Sequence, residues 1–204
     1  MKGICFIEPL FHKVVKGEKI QTRRIINHFG NSMHYGKLLC HWGLSDAPKL
    51  KDNKWMWQLQ TEVDDCADFL IKPKYNVGEI VYLKEPYYKD SNDDIHYKFG
   101  YPENQKEMDK HNLKWQNKLF MPESAARYFI KVTAVRAERL QDISEGDCLK
   151  EGVELYNNYD GTYGGWGAPM SHKEAYAALI NKINGKGTWE NNPFVWVYDF
   201  DLIK

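Results

Sequence analysis

The chain has 204 residues, of which 43% are hydrophobic and 27% charged, and its 28 Lys and Arg balance 28 Asp and Glu. This is the composition of a globular protein and excludes a disordered or fibrous one. Zero net charge excludes the strongly basic surface of a protein that coats long nucleic acid, so any nucleic-acid contact must be local. Aromatic residues reach 14%, with 7 Trp and 13 Tyr. That is more amphipathic ring surface than a core needs, and some rings are expected to line a groove or pocket.

No apolar run approaches the ~18 residues that cross a bilayer, and Met1 to Phe6 lacks the apolar stretch of a signal peptide, so a cytoplasmic protein without membrane contact is expected. Cys5, Cys40, Cys66 and Cys148 lie far apart with no Cys-x-x-Cys pair, which reads as four free thiols. The seven histidines show no clustered spacing, so neither a metal site nor a cofactor is expected. With no internal repeat and no Pro- or Ser-rich linker, residues 1–204 read as a single domain.

In chain order, Leu10, Phe11, Val14 and Val15 share one helical face, and Gly17 suits a left-handed helix end. Lys37 to Trp42 and Trp55 to Gln60 read as paired strands around a polar turn containing Pro48 and Asp52-Asn53. Val77 to Pro86 is a turn followed by a half-buried strand. Residues 90–118 form a polar surface excursion around a short strand at Ile95 to Phe99. Arg127 to Arg139 alternates apolar and polar residues, with one bulge, and is the longest predicted strand.

Ser144 and Ser171 are helix N-caps, the second in a full capping box with Glu174. The first helix ends near Gly152 and the second at Gly185. Between them, Gly161 to Gly167 is either a plain loop or a lid that lays Tyr163 or Trp166 on a base. Gly185-Lys186-Gly187-Thr188 lacks the upstream glycine of a phosphate loop and reads as a helix stop and turn. Trp189 and Trp196 flank Asn192-Pro193 and are expected to pack in the core, and Phe194 to Phe200 is a strong strand signal. The fold class is therefore mostly β with short helices, as a closed or nearly closed barrel decorated by helices.

Chemistry concentrates in Gly17 to Arg24, where Lys13, Lys16, Lys19, Arg23 and Arg24 are opposed only by Glu18. One reading is a solvated turn. The other is an extended segment whose alternation points Thr22 and Arg24 into the barrel mouth and Arg23 outward, with Lys19 meeting them from the helix end. A lysine held near Arg24 and partly desolvated has a lowered pKa and serves as base toward a hydroxyl or water. Arg24 suits a carboxylate, phosphate or oxyanion. Glu151, at the end of a short helix, is a candidate acid, with a plain surface role as its alternative.

The segments Gly17-x-Lys19-x-x-Thr22-x-Arg24, Val77 to Glu85, Ile130 to Ile143, Lys150-Glu151-Gly152-Val153 and Asn192 to Phe200 together resemble the ASCH family, in order and spacing over most of the chain. Bacterial and phage members look especially similar, down to Met121-Pro122 before the long strand. The resemblance implies a PUA-like β-barrel, a fold associated with RNA binding, with insertions here around residues 28–70 and 90–120. One branch of the family, about half this length, hydrolyses N4-acetylcytidine with a Lys, a Thr and a Glu. The matching positions make Lys19 the base, Thr22 the nucleophile and Glu151 the proton donor, with Arg24 as a pocket cation. Arg23, Glu85 and Trp166 complete the expected ligand-binding set, Glu85 as an anchor for Arg24 or Lys19. The expected partner is a nucleoside or RNA. An amidohydrolase of acylated nucleosides stands beside two alternatives, a non-catalytic RNA or modified-base module and a ribonuclease-like activity.

Overall fold

A computed structural model of the chain describes residues 1–26, 47–60, 66–99, 106, 108–111, 113–155 and 171–203. These residues form a mixed structure in which strands outweigh short helices. The strands are β1 (Lys2–Cys5), β2 (Gln21–Ile25), β3 (Lys49–Lys51), β4 (Lys54–Gln60), β5 (Cys66–Ile71), β6 (Ile80–Lys84), β7 (Tyr87–Lys89), β8 (Ile95–Tyr97), β9 (Phe129–Arg139) and β10 (Phe194–Leu202). The α-helices include α1 (Glu8–Val15), α2 (Glu145–Lys150) and α3 (His172–Asn184), and no helix among the described residues is long and apolar enough to cross a membrane.

The chain divides into two compact units. The first comprises Met1–Ile20, Val77–Thr133 and Asp199–Lys204, and the second Gln21–Asn76 and Ala134–Tyr198. In the first unit the strand order is β1-β6-β9-β10, using β9 up to Thr133 and β10 from Asp199, and β7 pairs with β8 separately. In the second, the remaining parts of β9 and β10 run with β2, and β3-β4-β5 form a sheet of their own.

In the first unit β1 runs parallel to β6, with Gly3 opposite Tyr82 and Ile4 opposite Leu83. Gly3 is required by close approach, since a Cβ there would lie 2.7 Å from the Tyr82 ring and collide with the Lys84 stem. Tyr82 cannot swing aside cheaply because its hydroxyl donates to the Met121 carbonyl at 3.0 Å. Helix α1 buries Leu10, Phe11 and Val14, and the Phe11 ring meets Phe99 edge-on at 5.1 Å and Tyr128 at 5.8 Å. The helix ends as expected at Gly17, with φ +75°. The Gly17 amide donates to the Val14 carbonyl and the Glu18 amide to the Lys13 carbonyl, which is the paired hydrogen-bond pattern of a Schellman cap.

In the second unit Asp52 and Asn53 both take positive φ, 49° and 59°, and turn β3 into β4 as a tight hairpin. β4 then pairs antiparallel with β5 from Trp55↔Ile71 to Gln60↔Cys66. The strand expected at 55–60 is therefore present, but its described partners are β3 and β5; residues 37–42, the partner expected from the sequence, lie outside the described residues. Leu140, Ile143, Cys148, Val153, Tyr176, Ile180, Val195 and Val197 form the buried core, with Trp189 packed at its edge. Trp196, also buried, meets the Trp55 ring at 4.8 Å.

Both caps read from the sequence are in place. The Ser144 hydroxyl accepts from the Asp147 amide, and Ser171 and Glu174 form a reciprocal capping box. Gly152, at φ +80°, closes α2 through Gly152 to Leu149 and Val153 to Cys148 hydrogen bonds, a second Schellman cap.

Candidate functional site

Six polar or charged side chains are buried among the described residues: Lys19, Gln21, Thr22, Arg23, Glu85 and Glu151. Four of them fall within five consecutive positions, which no ordinary strand or turn requires. Burying such groups costs free energy unless they are paired, so each of them needs a partner.

In the first unit the α1 cap turns the chain so that Lys19 follows directly. Its amide donates to the Lys13 carbonyl at 3.1 Å, and its side chain is only 1% exposed. The ammonium lies 5.6 Å from the centre of the Phe6 ring, within range of a cation–π attraction. Glu85 in the same unit is fully buried at the end of β6. Arg127 grips it in a fork, Nε to Oε1 and Nη2 to Oε2, each at 2.7 Å, and spends a further Nη2 bond on the Phe99 carbonyl. Burial pushes the Glu85 carboxyl above its ordinary range, opposed by the Arg127 hydrogen bonds and charge and by His12. The expectation that Glu85 anchors Lys19 or Arg24 is thus corrected: its carboxylate is taken up by Arg127, a residue the sequence reading left inside a strand signal.

In the second unit β2 is buried on both faces at Gln21, Thr22 and Arg23, with Arg24 and Ile25 half-buried. This corrects the expected outward aim of Arg23. Its side chain has no exposed surface, because the face that alternation assigned to solvent is covered by acidic groups from β9 and α2. The guanidinium donates to Glu138 Oε1 from Nε at 2.8 Å and from Nη2 at 2.6 Å. It also donates to Gln21 Oε1 at 2.6 Å, Glu151 Oε1 at 3.2 Å and Asp147 Oδ2 at 3.4 Å. Burial alone would lower the Arg23 pKa, but the Glu151 and Glu138 carboxylates outweigh it and raise it.

Arg136 joins the same network, with Nε on Glu138 Oε2 at 3.1 Å and Nη2 on Asp147 Oδ2 at 3.5 Å, and Lys150 reaches Asp147 Oδ1 at 3.2 Å. Three cations face three carboxylates. Glu151 is the C-cap of α2, and the Gly152 turn that ends the helix leaves it 4% exposed, so the surface alternative for Glu151 does not hold. Beside it the Tyr176 phenol is 2% exposed, and its hydroxyl has no hydrogen-bond partner among the described residues. Burial and then the Glu151 carboxylate push that phenol well above its ordinary pKa. Cys148 is pushed up to about 11, by burial first and the Glu145 carboxylate second, and is therefore an inert thiol.

The structure thus brings Thr22, Arg23, Arg24 and Glu151 into the second unit and Lys19 and Glu85 into the first. Trp166 and the loop from Gly161 to Gly167 lie outside the described residues. Gln21, Glu138 and Asp147 were missed as members of the polar network, and Tyr176 as the unpartnered phenol beside it. Gln21 and Glu138 lie inside segments that carry the family resemblance, while Asp147 reads in sequence only as the third residue of a capped helix. No three His, Cys, Asp or Glu side chains among the described residues are placed to hold a metal ion.

Comparison with known proteins adds no relative. No family model, no curated protein and no solved structure matches the chain.

Proposed function

We propose that this chain is an ASCH-type protein with a PUA-like barrel, working in the cytoplasm, that binds a nucleoside or RNA ligand and hydrolyses an acylated nucleoside such as N4-acetylcytidine. The observation that carries the reading is burial. Lys19, Thr22 and Glu151, the three residues to which the resemblance gives catalytic roles, are all among the six buried polar side chains of the described residues. Functional groups are buried at a cost when their chemistry needs a low-dielectric setting, where charges act strongly and competing water is kept out.

The roles are those of an amide hydrolase. The resemblance gives Lys19 the role of general base and Thr22 that of the nucleophile whose oxygen attacks the acyl carbonyl. Glu151 protonates the exocyclic nitrogen as the C–N bond breaks, and water then releases the acid from the acylated Thr22. Arg24, next along β2, is the cation for a ligand oxygen. The free thiols of Cys5 and Cys148 accord with a reducing compartment.

The test is hydrolysis of a panel of acylated cytidines by the wild-type chain beside Thr22→Val, which removes the hydroxyl while keeping the shape. The proposal expects wild-type release of cytidine and a loss of about a thousandfold or more in Thr22→Val. Absence of turnover on every member, with salt-sensitive RNA binding in its place, would replace it with the non-catalytic binding module.

A further inference from the structure

A guanidinium has five N–H donors and no acceptor. In Arg23 all five are spent: one from Nε and one from Nη2 on Glu138, a second from Nη2 on Asp147, and two from Nη1 on Gln21 and Glu151. The side chain has no exposed surface, whereas its partners Glu138 and Asp147 retain 18% and 19%. A cation committed in this way has no hydrogen bond left for an incoming ligand. What it supplies is a rigid planar fork that fixes the carboxylates around it.

We propose that Arg23 is a positioning residue for Glu151: it holds the Glu151 carboxyl in one orientation from β2 and makes no contact with the ligand. This rests on the hydrolase reading for its consequence, since Glu151 is there the proton donor. The geometry distinguishes the two neighbouring arginines. Arg24, on the opposite face of the strand, keeps the ligand-binding role, while Arg23 acts only through the acid.

Lysine at position 23 keeps the charge but cannot reach four acceptors from one ammonium. Arg23→Lys should therefore lower kcat by about a hundredfold, the scale of a misplaced catalytic group, and leave KM within about twofold. Because the effect runs through Glu151, the double variant Arg23→Lys/Glu151→Gln should be no slower than Glu151→Gln alone. A rise in KM with kcat kept, or losses that multiply in the double variant, would make Arg23 a ligand contact and overturn the proposal.

A second readout needs neither turnover nor an altered Arg23. In side-chain 15N spectra of the full chain, the signal of Arg23 Nη1, the nitrogen that donates to Glu151, should move in Glu151→Gln and stay in place when N4-acetylcytidine is added to the wild type. A signal indifferent to Glu151→Gln, or one shifted by the nucleoside, would overturn the proposal. If the wild type hydrolyses no acylated cytidine, the hydrolase reading fails, and this spectrum still decides whether Arg23 orients Glu151.

Discussion

Tyr176 packs its ring in the core of the second unit while its hydroxyl, facing the Arg23 and Glu151 network, has no partner among the described residues. An unsatisfied buried hydroxyl costs roughly 1–3 kcal/mol, so removing it should not harm the fold. Tyr176→Phe is expected to leave the unfolding free energy unchanged or raise it by up to about 1 kcal/mol. A loss of more than about 2 kcal/mol would show instead that the hydroxyl is hydrogen-bonded in solution. Asp147 behaves oppositely. Burial raises its pKa, but the Lys150 hydrogen bond and the Arg23 charge outweigh that and hold it below its ordinary 3.8. Its folded pKa lies under its unfolded one, so its ionised form stabilises the fold at neutral pH, and that stability is lost as pH falls through the folded value. Asp147→Asn should cost about 1 kcal/mol at pH 7 in denaturant titrations, with the gap closing below about pH 4. At this scale the sequence was a poor guide to surroundings. Alternation assigned Arg23 to the solvent face. It could not reveal that Glu138 and Asp147, more than a hundred residues away, bury the Arg23 face.

The elements that were legible are those whose signals are local. Ser144, Ser171, Gly17 and Gly152 announce helix ends through capping chemistry that depends on a few neighbouring residues, and each end stands where those residues put it. The strands of β6, β9 and β10 were equally legible from their β-branched and aromatic runs. β1 and β5 were not. Lys2-Gly3-Ile4-Cys5 is too short to show a period, and its strand character comes from a parallel partner beginning at Val81. The Gly17 cap tests the link from element to site. A Cβ at Gly17 would meet no atom within 4 Å, so only backbone strain at φ +75° opposes alanine there. Gly17→Ala should cost about 1 kcal/mol, read as a fall of several degrees in Tm. If catalysis depends on the turn that sets Lys19, kcat should fall as well. An unchanged Tm would mean that the left-handed cap is absent in solution.

Across the whole molecule the two units are interleaved, since the chain passes from one to the other after Ile20, Asn76, Thr133 and Tyr198. Neither unit is a contiguous piece of sequence, and β9 and β10 each supply strand to both. A fragment ending at Thr133 keeps β1, α1 and β6 but loses all of β10, and in the second unit it loses α2 and α3. It should therefore stay largely unfolded by circular dichroism and hydrogen exchange, and a cooperatively folded fragment would refute the interdependence. The absence of a linker reads as one domain, and nothing local marks where one compact unit gives way to the other. Lys19, buried and two residues before β2 in the chain, carries the base role in the proposed reaction and gives that proposal its most direct test. The decisive measurement is release of acetate from N4-acetylcytidine by the wild-type chain beside Lys19→Met, which keeps the buried stem and removes the amine. The account predicts turnover by the wild type and its loss by about a thousandfold in a variant that still folds; equal rates in both would contradict it.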